Sequence, residues 1–144
     1  MREIKFRGKS EKDFTPLFNI KKGDWVYGGI LWIDYTKIYI VRYLSRFEDP
    51  LLIKVDPETV GQFIGLKDKD NTEIYEGDVV VDVETEAKNR WGIVSADPDM
   101  WTEDIFIYGN KNAFCYKGFL ELVVRERIVV VGNIFDNPEW LRED

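Results

Sequence analysis

Apolar and polar residues alternate with a period of two over much of the chain. In the first segment, Ile4 and Phe6 alternate with Glu3, Lys5 and Arg7, which is the pattern of a half-buried β-strand. Further short apolar runs follow, separated by glycines and by Asp-Pro or Asn-Pro pairs. No helical period of ten or more residues interrupts them. The pattern therefore predicts many short strands and excludes a parallel α/β fold.

Residues 60–80, VGQFIGLKDKDNTEIYEGDVV, combine these signals most clearly. They predict a strand, a charged tip at 67–71, a return strand and a Gly77-Asp78 corner that leads into a valine strand. At such a corner glycine supplies a positive φ, and the aspartate carboxylate closes the turn through a backbone hydrogen bond. We therefore predict a β-hairpin followed by a sharp corner.

The whole pattern predicts an all-β protein of many short antiparallel strands. We predict that these strands form two tandem SH3-like or related small barrels. Near the end of the chain, Asn137-Pro138-Glu139 has the capping side chain, early proline and early carboxylate of a helix start. We therefore also predict a short C-terminal helical turn.

Two landmarks recur in the same order and indicate a weak internal repeat. Gly23-Asp24 matches Gly77-Asp78, and Val60-Gly61 matches Val131-Gly132. A Gly-Ile pair also follows each corner. The chain of 144 residues fits a single domain, 1–144, which we predict to contain two packed β repeats at 15–66 and 67–135. Because the matches are short, chance similarity is the alternative.

The composition indicates a protein of the cytoplasm. Hydrophobic residues make up 44% of the chain, which is enough for a core, yet no apolar run approaches the ~20 residues of a membrane span. The N-terminus, MREIKFRGK, lacks the apolar segment of a signal peptide. The single cysteine, Cys115, allows no internal disulfide, and we interpret it as a small buried hydrophobic residue.

The net charge of −7 is unevenly distributed along the chain. Residues 1–22 carry seven cationic and three anionic side chains, a net +4, so the remainder carries −11. The favoured interpretation is that the basic segment lies against the acidic body of its own fold. The alternative is a nucleic-acid contact through Arg2, Lys5 and Arg7, although proteins that neutralise phosphates are usually basic overall.

The chain contains no histidine. Ser-His-Asp and Cys-His mechanisms, histidine-ligated zinc and a histidine pH switch are therefore excluded. A closed thiolate zinc site is excluded by the single cysteine. We expect no catalytic, cofactor-binding or metal-binding residues.

Four segments of the sequence resemble the YopX family of small phage and prophage proteins. They are REIKFRGK at 2–9, WVYG at 25–28, ETVGQFIGLKDKDNTEIYEGDVV at 58–80 and VVVGNIFDNPEWL at 129–141. One departure is at the hairpin tip, where the family usually carries Asn-Gly and this chain has Asp70-Asn71. Asparagine tolerates the left-handed conformation best after glycine, so the turn is expected to persist. The resemblance implies a β-rich, cytoplasmic protein of a mobile element and supplies no catalytic residues.

The densest carboxylates lie around the predicted hairpin and could in principle bind Mg²⁺ or perform acid–base chemistry. They are Asp68, Asp70, Glu73, Glu76 and Asp78. Aspartates are also common at turns, because their carboxylates accept hydrogen bonds from nearby backbone N–H groups. We favour the turn role over a metal-dependent hydrolase.

Aromatic residues offer a second candidate site. Those within predicted strands are Trp25, Tyr27, Trp32, Tyr35, Tyr39, Tyr43 and Trp91. Such residues can stack on ligands, but we favour core roles because they pack well on sheets. Met100 and Trp101 form an apolar pair in an acidic loop, so they either cover the protein's own core or contact a partner.

The leading functional hypothesis is a non-enzymatic protein-binding or adaptor module of a phage or prophage, acting on a host or phage protein. The alternative is a nucleic-acid-binding protein. A carboxylate hydrolase and an acidic mimic of DNA are further alternatives, the latter motivated by the −11 carried by residues 23–144. Open strand edges, with the Val129–Val131 run as a candidate, would also suit a homo-oligomer.

Overall fold

The structure is a computed structural model that describes residues 3–14, 18–43, 49–83, 91–96, 105–109, 123 and 126–141. The chain divides into two compact units, Met1–Phe63 and Ile64–Asp144. Side chains of the outermost sheet strand, residues 105–109, and of residues 95, 96 and 141 are outside this description.

Ten strands make up the described fold, which confirms the prediction of an all-β protein. They are β1 (Phe6–Lys9), β2 (Trp25–Asp34), β3 (Lys37–Arg42), β4 (Leu51–Val55), β5 (Gly61–Lys67), β6 (Glu73–Tyr75), β7 (Asp78–Asp82), β8 (Trp91–Ala96), β9 (Ile105–Gly109) and β10 (Ile128–Asn133). Short 3-10 turns span Pro57–Thr59 and Pro138–Leu141. The strands form two antiparallel sheets, in the orders β4-β3-β2-β1-β5-β6 and β10-β7-β8-β9.

In the first unit, alternate residues of strands β1 to β4 turn towards one core. The register pairs Ile30 with Ile40 and Ile40 with Ile53, so these side chains share a face of the sheet. The buried members of the core are Ile20, Val26, Ile38, Ile40, Ile53 and Val55. In β3 and β4 the period of two that is visible in the sequence is therefore the period of burial, whereas β1 buries the consecutive residues Arg7 and Gly8.

The second unit has its own core. Ile64 of β5 and Ile74 of β6 pack with Val80, Val94 and Ile128 of the four-stranded sheet. Asp82 of β7 and Arg127, just before β10, form a bidentate ion pair with N–O distances of 3.0 and 2.8 Å. The Asp82 side chain is fully buried. Trp91 packs against Trp140 of the C-terminal turn, with ring centroids 5.2 Å apart.

The predicted tandem small barrels are not closed in the part of the chain that the structure describes, because both sheets have open strand orders there. In the first unit, the end of β1 approaches β4 through one bridge, Ser10 to Val55, and two backbone hydrogen bonds. Glu11 N donates to Lys54 O at 3.0 Å, and Asp56 N donates to Lys9 O at 2.8 Å. This is a local contact of strand ends and not a ladder that closes the sheet.

The predicted C-terminal helical turn is a 3-10 turn. Trp140 N donates to Asn137 O at 3.2 Å, an i to i+3 bond, and the turn ends within four residues. The chain enters it through Asn133, whose Oδ1 accepts hydrogen bonds from the backbone of Phe135 and Asp136 at 3.0 and 2.8 Å. The capping pattern in the sequence thus lies within a series of tight turns from Asn133 to Leu141.

The two Gly-Asp corners have the same geometry. Gly23 and Gly77 have φ of 90° and 91°, values that L side chains rarely adopt. The carboxylate of Asp24 accepts from Lys21 N at 2.9 Å, and that of Asp78 accepts from Tyr75 N at 2.7 Å. Each corner leads into a three-stranded meander, β2-β3-β4 or β7-β8-β9.

The other landmarks correspond less closely. Gly29 lies on the first strand of its meander, whereas Gly92 lies on the second. Gly61 begins β5, whereas Gly132 lies inside β10 beside a register shift. The repeat boundaries 15–66 and 67–135 therefore stay a prediction.

Candidate protein-docking surface

The β2–β3 hairpin exposes large apolar side chains. A two-residue loop, Tyr35-Thr36, joins the strands, and a register shift between Trp32 and Asp34 leaves Ile33 as an extra residue. Trp32, Ile33 and Tyr35 are 53, 54 and 84% exposed. The rings of Trp32 and Tyr35 pack edge to face, with centroids 5.5 Å apart. We call residues 32–37 the hairpin tip.

The turn itself is held by Asp34. Its Oδ1 accepts hydrogen bonds from Thr36 Oγ1 at 2.6 Å and from Thr36 N at 2.7 Å. These two bonds, in that order of effect, hold the pKa of the Asp34 carboxyl below its ordinary value of 3.8, and the nearby Lys37 ammonium acts in the same direction. A fixed turn presents the aromatic pair at little entropic cost on binding.

One face of the β2-β3-β4 meander points away from the core and is largely apolar. The register aligns Leu31 with Tyr39 and Lys54, and Gly29 with Val41 and Leu52. Tyr27, Leu31 and Leu52 are 43, 39 and 42% exposed, and Tyr39, Val41 and Lys54 are half-buried. We call these seven residues the outer face. The hairpin tip lies at the end of this face, but Trp32 pairs with Ile38 and so lies on the other side of β2 from Leu31. Exposed apolar surfaces of this kind mark interaction sites.

Gly29 leaves a shallow notch in the outer face. It lies between Tyr27 and Leu31 along β2 and opposite Val41 of β3, and it is exposed. A Cβ added there would meet Val41 Cβ at 3.8 Å and Val41 O at 3.9 Å, which are ordinary contacts. The fold therefore does not need glycine at this position, and the notch is open to a partner's side chain.

The charge of the four strands around this surface is opposite to that of the chain. Strands β1 to β4 contain five cationic residues, Arg7, Lys9, Lys37, Arg42 and Lys54, and one carboxylate, Asp34. The chain as a whole has a net charge of −7. This sheet is thus a local positive region in an acidic protein.

The basic residues of the first segment are placed partly against their own unit. Arg7 is buried and its guanidinium carbon lies 4.5 Å from the ring centroid of Trp25. Lys5 Nζ lies 5.6 Å from the Phe63 ring and 3.5 Å from Glu3 Oε1. Arg2 lies outside the described residues. In Arg7 and Lys5, the structure therefore shows packing on aromatic rings.

Two of the hairpin carboxylates that the sequence singled out, Asp68 and Asp78, hold turns together. Asp68 Oδ1 accepts from Asp70 N at 2.8 Å and Thr72 N at 2.9 Å, and its Oδ2 accepts from Val130 N at 2.9 Å. Asn71 has a φ of 67°, as the hairpin turn requires. Among the described residues, no cluster of three or more His, Cys, Asp or Glu side chains could hold a metal ion.

The sequence predictions located this surface only in part. Met100, Trp101 and Cys115 lie outside the described residues. Core roles were favoured for the strand aromatics, yet Trp32 and Tyr35 are exposed, as are Tyr27 and Tyr43. The available signal was the run Ile30–Ile33, whose unbroken apolar character puts apolar side chains on both faces of one strand.

Comparisons with known proteins agree on the fold. The model of the family described as YopX protein matches residues 17–142. The crystal structure of protein EF1440 from Enterococcus faecalis is similar, with a TM-score of 0.55, 19% sequence identity, and coverage of 99% of this chain and 100% of that chain. No curated protein matches the chain. Within the described ranges, no helix is long and apolar enough to cross a membrane. Because the family match covers most of the sequence, the chain belongs to the YopX family.

Proposed function

We propose that this protein is a non-enzymatic protein-binding or adaptor module that contacts its partner through the outer face and the hairpin tip. The observation that carries the proposal is the exposure of Trp32, Ile33 and Tyr35 on a turn fixed by Asp34. Rigid, exposed aromatic and aliphatic side chains are the residues that dominate protein interfaces.

The cellular setting is part of the same proposal. The family resemblance supports an accessory protein of a phage or prophage, acting on a host or phage protein. The low cysteine content supports a role in the reducing cytoplasm. A self-associated form is compatible with the exposed apolar surface and is measured in the experiments below.

A photo-crosslinking residue tests the proposal in cells that carry the protein. It replaces Tyr35, which is 84% exposed and lies in the hairpin loop. The matched control replaces Glu58, which is also exposed but lies in the 3-10 turn after β4. The adaptor role predicts one discrete crosslinked protein from position 35 and none from position 58.

A third variant distinguishes specific binding at the notch from non-specific association with exposed apolar side chains. Gly29→Val in the Tyr35-crosslinking protein fills the notch, and its Cβ would make only ordinary contacts within the fold. We expect loss of the crosslinked band while the circular dichroism spectrum is retained. Equal crosslinking from positions 35 and 58, or none from either, would reject the proposed function.

Nucleic-acid binding is the second candidate function. It is favoured by the positions of Lys5, Arg7 and Lys9 at alternate residues of one extended segment, next to Trp25 and Phe63. Affinity for single-stranded DNA should then fall steeply between low and high salt. Lys5→Gln should reduce the salt slope, while Lys69→Gln in the β5–β6 turn should leave it unchanged.

We also propose that the first unit is related to SH3-like folds as a partly closed sheet. The support is the Ser10–Val55 bridge with its two flanking hydrogen bonds, which bring the end of β1 to β4. Slow amide exchange at Glu11 and Asp56 would show that this contact persists in solution.

A further inference from the structure

We propose that the outer face binds an extended acidic segment of another protein, with one aliphatic side chain of that segment seated over Gly29. The inference rests on the proposed function and specifies the chemistry of the partner. It follows from three observations: the charge of the sheet, the shape of the notch and the mixture of aliphatic and aromatic side chains.

The charge of the sheet selects an acidic partner. Lys54 of β4 belongs to the outer face and Lys37 flanks it at the start of β3, and Asp34 is the one carboxylate within strands β1 to β4. Glu11 Oε2 lies 3.4 Å from Lys54 Nζ, with both side chains about one-third exposed. Such a surface pair is weak, so a partner carboxylate can compete for Lys54.

The same charge disfavours a second copy of this face. Two outer faces in an isologous contact would place Lys37 and Lys54 of one copy close to those of the other. Like charges at an interface oppose association. The occupant is therefore a segment with different chemistry from the face that binds it.

The side chains of the face favour a peptide over a nucleic acid. Leu31 and Val41 border the notch and Leu52 lies beyond Val41 on β4. These aliphatic side chains do not provide the stacking that bases require, so only Tyr27 and Tyr39 of this face have rings that can stack. The net charge of −7 also opposes a polyphosphate at long range. A short acidic segment requires only the local positive region.

The notch sets the position of the partner's apolar residue. Its floor is the Gly29 backbone, and Tyr27, Leu31 and Val41 surround it. A branched aliphatic side chain placed there would gain contacts on three sides. Adjacent positions of an extended peptide would then place carboxylates towards Lys54 and Lys37.

A displayed library of random 12-residue peptides tests the inference with the full-length protein. We expect the selected peptides to be enriched in Asp and Glu around a Leu, Ile or Val. A synthetic peptide from the selection should bind with an affinity that falls about two- to fivefold for each of Lys54→Glu and Lys37→Glu. Lys69→Glu, an equal charge change outside the four strands, should leave the affinity unchanged.

Gly29→Val gives the second arm of the experiment. We expect at least a tenfold weaker affinity for the selected peptide, because the new side chain occupies the notch. Chemical shift changes on binding the selected peptide should centre on Leu31, Val41 and Leu52. Oligothymidylate and the protein's own concentration-dependent mass are measured in parallel.

The outcomes distinguish the proposed docking surface from the proposed acidic chemistry of its partner. Selected peptides that are neutral or basic, or that bind Lys54→Glu and wild type equally, would overturn the acidic partner and leave the docking surface in place. Tight binding of oligothymidylate at the same residues, or self-association lost in Gly29→Val, would also overturn it. No selected peptide and no crosslink from position 35 would overturn both.

Discussion

The carboxylate of Asp68 accepts a hydrogen bond from the backbone N–H of Val130 at 2.9 Å, although 62 residues separate the two in the chain. The adjacent Lys69 N donates to Ile128 O at 2.9 Å. The β5–β6 turn therefore has two roles: it reverses the chain, and it is bonded to the side of β10.

We expect Asp68→Ala to destabilise the protein by about 2–4 kcal/mol. The substitution leaves the backbone N–H groups of Asp70, Thr72 and Val130 without their acceptor, and hydrogen bonds to charged groups contribute about 1.5–3 kcal/mol each where buried. Urea denaturation measures the change. Asp70→Ala, at the exposed neighbouring position, should change the free energy of unfolding by no more than about 0.5 kcal/mol. Equal effects of the two substitutions would contradict the role of Asp68.

The buried ion pair in the second unit gives a second prediction. Arg127→Met removes the bidentate partner of the fully buried Asp82 carboxylate and should cost about 3–5 kcal/mol. The double variant Asp82→Leu/Arg127→Met should recover most of that loss, because a buried pair replaced by apolar side chains is often neutral. A double-mutant cycle from thermal or urea unfolding supplies the measurement. Additive losses would show that the two residues are not coupled.

The two corner glycines should differ in their tolerance of alanine. Gly23→Ala and Gly77→Ala each force an L residue to a φ near +90°, at a cost of about 1–2 kcal/mol. A Cβ at Gly23 meets nothing within 4 Å, whereas one at Gly77 would lie 3.0 Å from Phe135 Cε2. Gly77→Ala should therefore lower the free energy of unfolding more than Gly23→Ala does. The opposite order would argue against the packing of Phe135 on this corner.

Asp34 gives a pH-dependent prediction. Its pKa is lowered in the folded protein, so its contribution to stability is present above the unfolded pKa and is lost as the pH falls through the lower, folded value. The carbon-13 shift of the carboxyl should titrate below 3.8 in the wild type. Thr36→Val keeps the branched side chain but removes the hydroxyl donor, and it should raise the pKa towards the ordinary value. An unchanged titration would show that the hydroxyl bond is not formed in solution.

Local chemistry was predictable from the sequence, and long-range contacts were not. The hairpin at residues 60–80 and its Gly77-Asp78 corner follow from turn geometry, which acts over a few residues. The burial alternation predicted for Ile4 to Arg7 was wrong, because Ile4 is 72% exposed and Arg7 is buried. The open sheets were missed, because closure depends on a few hydrogen bonds at the ends of β1 and β4. The contact between Asp68 and Val130 spans 62 residues and has no local signal.

The candidate site was predicted only as a set of residue types. The alternation of side chains along a strand shows that the strand has two faces, but the rest of the fold determines which face is buried. Trp32 and Tyr35 therefore looked like core residues, although both are exposed. Arg7 looked available for phosphate, although it is buried over Trp25.

The bonds from the β5–β6 turn to β10 also bear on colloidal behaviour. The segment Ile128–Val131 is an uncharged run of β-branched residues at the margin of the four-stranded sheet, and such runs template amyloid when their edge is bare. The Asp68 carboxylate accepts from the backbone N–H of Val130, and the backbone N–H of Lys69 donates to the carbonyl of Ile128. These two bonds pair backbone groups of β10 that would otherwise be available to another strand. Substitutions that break the bonds between the β5–β6 turn and β10 would expose the backbone edge of β10 while most of the fold persists. Such variants should therefore form fibrils under conditions in which they are still largely folded.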